Sequence, residues 1–187
     1  MCSDQTEAGR GAHSPWVRRF AHLVTAGGEV LDVAAGGGRH SRFFLDRGCR
    51  VTAVDRDVDG LADLADRGDV EVVAHDLEDG GNWPFPGRRF DCVVVANYLY
   101  RPLLPVLAQS LTPGGVLLYE TFAVGNERYG RPRRADFLLQ PGELWRAFAD
   151  ELQIIAYEHG YEAEPREAVR QRIAAVAASE PRPLAAP

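Results

Sequence analysis

The 187-residue sequence contains no lysine, all 21 of its basic residues being arginine. That absence excludes a lysine Schiff base, a Walker-type phosphate-binding lysine and the Tyr-x-x-x-Lys pair of dehydrogenases. Cysteine is scarce as well. Cys2, Cys49 and Cys92 are odd in number and lack Cys-x-x-Cys spacing, so neither a disulfide framework nor a zinc site is expected; Cys49 and Cys92 should be reduced and packed beside strands. His22, His40, His75 and His159 show no ligand spacing, and no metal is expected. No apolar run approaches the roughly 18 residues of a membrane helix, and the N-terminus lacks a basic-then-apolar signal pattern. The expectation is a cytoplasmic protein with no membrane partner. A net charge of −6 gives no overall attraction for a polyanion, so no nucleic acid partner is expected either.

What is present suits one folded domain, with 45% hydrophobic and 26% charged residues. The expected domain is 14–178, between flexible tails at 1–13 and 179–187. Ser14-Pro15 followed by Trp16, Val17, Phe20, Leu23 and Val24 predicts a capped amphipathic helix, which Gly27-Gly28 stops. Residues 29–34 form an apolar run too short for a helix and closed by glycines, which predicts a strand buried on both faces. A helix over about 39–47 follows, capped at Gly48. The alternation recurs as a strand at 50–55, a helix at 58–67 and a strand at 70–75. After a Pro- and Gly-rich loop at 78–88 come a strand at 90–96, a helix at 102–111 and, beyond the turn Thr112-Pro113-Gly114-Gly115, a strand at 116–122. The strand at 90–96 is the most apolar and should be central. A long arginine-bearing segment, 123–140, precedes a helix near Pro141 that contains Leu144, Trp145 and Phe148. Segments 152–157 and 169–177 read as two further strands, the second also compatible with a helix by composition. The pattern predicts an α/β fold: a Rossmann-like, doubly wound, seven-stranded and mostly parallel sheet with helices on both faces.

Open parallel sheets bind ligands outside the carboxyl ends of their strands, near the point where strand order reverses. That rule directs attention to the turn Gly36-Gly37-Gly38, where the backbone can bend sharply and the following helix offers free amides to an anion. A Gly-rich turn can also be purely structural. Asp55 strengthens the ligand reading, because a carboxylate ending the second strand can accept both hydroxyl hydrogens of a ribose. Its alternative use is as a helix N-cap, which Asp57 serves at least as well. A nicotinamide dinucleotide would use the same features, but Gly-x-Gly-x-x-Gly needs glycine at position 41, where Ser41 stands.

The run Val30-Leu31-Asp32-Val33-Ala34-Ala35-Gly36-Gly37-Gly38 resembles motif I of class I S-adenosylmethionine-dependent methyltransferases. The order of elements from about 14 to 178 is similar to that family, and most closely to a small bacterial subgroup that includes tellurite-resistance methyltransferases. Where the family usually shows Gly-Cys this chain has Ala34-Ala35, which narrows the room under the methionine portion and keeps the last two glycines. The resemblance implies S-adenosylmethionine as cofactor, S-adenosylhomocysteine as product and methyl transfer as activity. It implies that Asp32, Ala34, Gly36 and Gly38 surround the methionine end, and that Asp55 and Arg56 flank the ribose and adenine. Asp76-Leu77 would meet the adenine edge, a loop cap being an equal alternative for Asp76 alone. Asn97 and Tyr98, at the motif IV position, would line the floor beneath the sulfonium. Family members acting on exocyclic amines of bases resemble Asn-Pro-Pro-Tyr there. Asn97-Tyr98-Leu99-Tyr100 lacks the prolines, which favours a small-molecule acceptor over DNA.

A sulfonium is already an activated donor, so aligning the nucleophile and excluding water are the main demands, and no base is strictly required. Tyr98, Tyr100, His13 and Glu120 are candidates if the acceptor must lose a proton; the tyrosines also suit packing roles. No residue is assigned as catalytic. The stretch Asn126 to Arg134 fits either a lid over an anionic acceptor or a solvated loop. Trp16 and Arg101 fit either a pocket or a packing role. Three functions stay open: a methyltransferase, an NAD(P)-dependent oxidoreductase, and a nucleotide-binding module without catalysis. The expected assembly is a monomer or homodimer.

Overall fold

The computed structural model describes residues 12–164, 166–178 and 180. The expected tails, 1–13 and 179–187, lie outside the described residues apart from Ala12, His13 and Glu180, and so does Cys2. Seven strands form one sheet: β1 (Glu29–Val33), β2 (Arg50–Asp55), β3 (Val70–Ala74), β4 (Phe90–Ala96), β5 (Leu111–Phe122), β6 (Gln153–Glu162) and β7 (Ala168–Val176). Their order is β3-β2-β1-β4-β5-β7-β6, parallel throughout except that β7 runs antiparallel to both β5 and β6. The sheet is therefore the expected one, with β4 at its middle.

Alternation along the strands supplies two cores, one on each face. Val30, Cys92, Val94, Val116 and Leu118 meet Trp16, Phe20 and Phe44 from α1 (Pro15–Phe20) and α2 (Arg39–Leu45). Leu31, Val33, Val93, Val95, Leu117 and Tyr119 meet Leu104 and Leu107 of α3 (Leu104–Gln109) and Leu144 and Phe148 of α4 (Glu143–Phe148). The first helix starts as expected: the Ser14 hydroxyl accepts from the amides of Trp16 and Val17, and Pro15 occupies the first turn. Trp16 is a packing residue, its indole N–H donating to the Ile173 carbonyl at 3.2 Å. Cys49 and Cys92 are buried free thiols, as expected.

Several boundaries differ from expectation. In place of a helix over 58–67 the chain forms a 3-10 turn, Asp59–Leu64. The side chains of Asp55 and Asp57 accept from the amides of Asp57 and Asp59, and such local bonds compete with α-helical pairing. The helix expected over 102–111 is a 3-10 turn, Arg101–Leu103, followed by α3. Strand β5 begins at Leu111, which pairs with Phe90 before a register shift brings Val116 opposite Cys92. The last segment is a strand rather than a helix, since β7 is hydrogen-bonded on both sides between β5 and β6. Trp145 is 47% exposed on α4, because its helix presents Leu144 and Phe148 to the core instead.

The segment 123–140 is tethered to the sheet, while most of its residues, among them Arg128, Arg131, Arg133 and Arg134, are exposed. It contains 3-10 turns at Asn126–Arg128 and Ala135–Phe137, and Ala123 pairs with Leu139. Buried Asn126 ties the segment to β7, donating to the Pro132 carbonyl and accepting from the Val169 amide, both at 3.2 Å. Arg101 clamps the return path, donating to the carbonyls of Asp136 (2.8 Å) and Leu138 (3.0 Å) while pairing with Glu143 at 2.6 Å. Arg101 thus has a structural place. Replacing it by alanine removes two tethers made by a charged donor, each worth about 1.5–3 kcal/mol at most. Arg101→Ala should lose hydrogen-exchange protection at Leu138 and Leu139 well before the sheet does, a contrast that exchange measured by mass spectrometry would show.

Candidate functional site

The strand order reverses between β1 and β4, whose chains leave the sheet toward opposite sides, and the site lies at those carboxyl ends. Two non-glycine residues stand in the left-handed backbone region, Ala34 (φ 54°) and Asn97 (φ 59°), and they are the residues that follow β1 and β4. Gly36 (φ 53°) and Gly38 (φ 73°) continue the first turn, and α2 begins after Gly38. A Cβ at Gly36 or Gly37 would meet nothing within 4 Å, so this turn faces open space. Gly38 differs, since a Cβ there would press on Leu61 at 2.5 Å.

The turn is held from behind. Asp32 is 2% exposed and accepts from the Ser41 hydroxyl at 2.6 Å. Burial pushes the Asp32 carboxyl up to about 6, against the lowering effect of Ser41. Arg42 donates to the carbonyls of Gly37 and Gly60 and to the Asp63 carboxylate. From the front, the Asp55 carboxylate accepts from the Gly36 amide at 2.7 Å and from the Asp57 amide at 3.0 Å. A carboxylate has about four acceptor positions, so two remain for a ligand's hydroxyls.

A cavity of about 300 Å³ opens beside this turn, lined by Ala34, Asp55, Arg56, His75, Asp76, Leu77, Glu78, Tyr98 and Phe137. A second cavity, of about 270 Å³, shares Glu78, Tyr98 and Phe137 with the first and adds Asn97, Leu99, Thr121, Phe122 and Pro132. Of the ten residues singled out from the sequence, Ala34, Asp55, Arg56, Asp76, Leu77 and Tyr98 line the first cavity, and Asn97 lines the second with Tyr98. Gly36 and Gly38 shape the turn, and Asp32 lies beneath it. Asp76 also caps its own loop, accepting from the Glu78 amide at 2.9 Å. The donor set fits a nucleoside: carboxylates end neighbouring parallel strands, a side-chain-free turn stands beside them, and the buried Tyr98 hydroxyl has no hydrogen-bond partner among the described residues.

The other base candidates lie elsewhere. His13 stacks on Phe43 with ring centroids 4.4 Å apart, Glu120 is buried 3.2 Å from Arg172, and neither these nor Tyr100 lines either of the two cavities. Burial and the neighbouring Glu78 carboxylate hold the Tyr98 phenol well above its usual range. Sequence reasoning missed Glu78, Thr121, Phe122 and Phe137. The first three sit just past the end of β3 or at the end of β5, where the strand-end rule could have found them; Phe137 arrives only through the folding of 123–140. Among the described residues no cluster of His, Cys, Asp and Glu could hold a metal.

Comparison with known proteins agrees with this geometry. A family model described as a methyltransferase domain matches residues 30–115, which run from β1 through the start of β5. The ubiquinone/menaquinone biosynthesis C-methyltransferase UbiE of Pseudomonas savastanoi pv. phaseolicola is 34% identical over 132 residues, covering 60% of this chain and 50% of that protein. The fold is similar to TehB from Haemophilus influenzae, with a TM-score of 0.75, 15% identity, and coverage of 91% of this chain and 64% of the other. It is also similar to 1,6-didemethyltoxoflavin-N1-methyltransferase from Burkholderia thailandensis, a structure containing S-adenosylhomocysteine, with a TM-score of 0.66, 22% identity, and coverage of 94% and 82%. The match to a methyltransferase domain thus covers residues 30–115, and the fold as a whole is similar to that of solved methyltransferases. The chain spans about half the length of the curated C-methyltransferases that it matches.

Two predictions follow from the turn. Gly38→Ala combines a left-handed backbone with a contact on Leu61 and should cost about 1–2 kcal/mol or more in urea unfolding. Asp32 behaves differently. Its raised pKa means that the folded state binds more protons than the unfolded state between about pH 4 and 6, so its contribution to stability falls as pH rises through that window and stays lost above it. Relative to Asp32→Asn, the wild-type protein should lose on the order of 2 kcal/mol between pH 4 and 7, read from unfolding midpoints across the series.

Proposed function

We propose that this chain is a methyltransferase whose first cavity takes S-adenosylmethionine and whose second takes a small-molecule acceptor, with 14–178 as the working domain. The observation that carries this reading is the pairing of two cavities through Glu78, Tyr98 and Phe137 at the carboxyl ends of β3 and β4. One has the strand-end carboxylates of a nucleoside site, and the other has mostly apolar walls.

Asp55 would accept from the ribose hydroxyls with Arg56 beside it, and Asp76 with Leu77 would receive the adenine edge. Ala34, Gly36 and Gly38, held from below by Asp32, would surround the amino-acid end, while Asn97 and Tyr98 form the boundary with the acceptor. The cofactor supplies a methyl group on a positively charged sulfur, already activated for transfer. The chain's contribution is to hold an acceptor in line and keep water out, which Phe122, Phe137, Leu99 and Pro132 do by enclosing the second cavity. The segment 123–140 contributes Pro132 and Phe137 to that enclosure and no guanidinium group, so an anionic acceptor would find no charge partner in the lining.

A nicotinamide dinucleotide is the weaker reading. Ser41 occupies the position of its third glycine and is fully buried against Asp32. Among the described residues no helix is long and apolar enough to cross a membrane, in keeping with the cytoplasmic location proposed here.

Calorimetric titration with S-adenosylmethionine, S-adenosylhomocysteine and NAD tests the proposal. Saturable binding of the first two is expected, weakened at least about tenfold in Asp55→Ala, which loses two charge-assisted acceptors. Binding of NAD alone would overturn the methyltransferase reading.

A further inference from the structure

We infer that the second cavity takes a neutral aromatic or heteroaromatic amine of one or two rings, whose nitrogen attacks without first losing a proton. The inference rests on the methyltransferase reading above and adds the chemistry of the acceptor.

Size and walls come first. A closed apolar cavity of about 150 Å³ already accommodates benzene. The second cavity, about 270 Å³ in volume, is walled by Phe122, Phe137, Tyr98, Leu99 and Pro132, surfaces suited to flat rings. Charge narrows the choice. Glu78 is the one carboxylate in the lining, and no arginine joins it. The guanidinium of Arg170, beside the lining residues Asn97 and Phe122, is already engaged: it donates to Asn97 Oδ1 at 2.6 Å and to Glu162 at 2.5 Å, and it stands 4.2 Å over the Phe122 ring. An anionic acceptor would therefore face a carboxylate with no compensating cation.

The fate of the proton points the same way. Asn97 and Thr121 do not titrate, and the Tyr98 phenol is held neutral by burial and by Glu78. Its hydroxyl, buried and unpartnered, can accept from an acceptor's N–H. When a neutral amine attacks, its lone pair forms the new N–C bond as the C–S bond breaks and the bonding pair goes to sulfur. The sulfonium becomes a neutral thioether, and the positive charge passes to nitrogen. Ring faces and the Glu78 carboxylate both stabilise a cationic nitrogen at that position. The product ammonium then gives its extra proton to Glu78 or to water.

The test uses phenyltrimethylammonium, an unreactive mimic of the charged product, with benzoate and tert-butylbenzene as anionic and neutral counterparts. Each is titrated into the full chain with and without S-adenosylhomocysteine. The ammonium ion should bind saturably and at least about tenfold more tightly than either counterpart, and Glu78→Gln should remove most of that preference. Because Glu78 also lines the first cavity, the variant's affinity for S-adenosylhomocysteine is measured in parallel to show which cavity was affected. Benzoate binding as tightly as the ammonium ion, or no ammonium binding to either form, would overturn the amine inference. Failure of S-adenosylhomocysteine to bind the wild-type protein would instead remove the methyltransferase reading.

Discussion

At the centre of the molecule β1 and β4 lie side by side, and the chains that leave them part in opposite directions. A parallel sheet cannot close over that point, so a crevice forms there for reasons of topology alone. Both exits require a non-glycine residue in the left-handed region, Ala34 after β1 and Asn97 after β4. Each costs roughly 1–2 kcal/mol relative to an ordinary conformation. The surrounding bonds hold them in place: the Ala35 amide donates to the Val54 carbonyl, the Asn97 amide donates to the Glu120 carbonyl, and Arg170 fixes the Asn97 side chain. The strained positions and the candidate site coincide, as expected where a fold maintains local strain around a ligand.

Behind the Gly-rich turn, polar groups are buried where an apolar core would be simpler. Asp32 and Ser41 are both nearly inaccessible, and their contact joins the end of β1 to the first turn of α2. A buried carboxylate is held at a cost in desolvation, visible in its raised pKa. What the arrangement secures is the position of the turn, since Arg42 ties the same segment to Gly60 and Asp63. These bonds fix the turn beside the first cavity, and a turn positioned in advance lowers the ordering cost of binding.

The cover over the site has a different construction. Segment 123–140 carries little regular structure and depends on a few tethers, chiefly Arg101, Asn126 and the short pairing of Ala123 with Leu139. It places Phe137 at the boundary of both cavities and turns its own arginines outward. Within the first cavity three carboxylates, Asp55, Asp76 and Glu78, accordingly face a single guanidinium, that of Arg56.

Much of this was legible in the chain itself. Short apolar runs closed by glycines and prolines specify the strands, and the spacing of the Gly-rich turn from Asp55 points to the first cavity, because both signals are local in sequence. The helix expected over 58–67 failed for a local reason as well: aspartate side chains satisfied the backbone amides before an α-helix could. Composition left the last segment ambiguous, and only pairing on both edges made β7 a strand. Arg101 and Trp16 could not be separated from pocket residues in the sequence, since a long side chain's destination depends on which elements pack beside it. The same holds for Glu78, Phe122 and Phe137, which stand far apart in the chain and meet around one cavity. By itself the sequence determined the parallel sheet, the glycine turn and its partner carboxylate, through backbone preference and short-range spacing. The tertiary structure alone decided what lines the second cavity and which charges face it, because enclosure is set by contacts between segments that no local pattern connects.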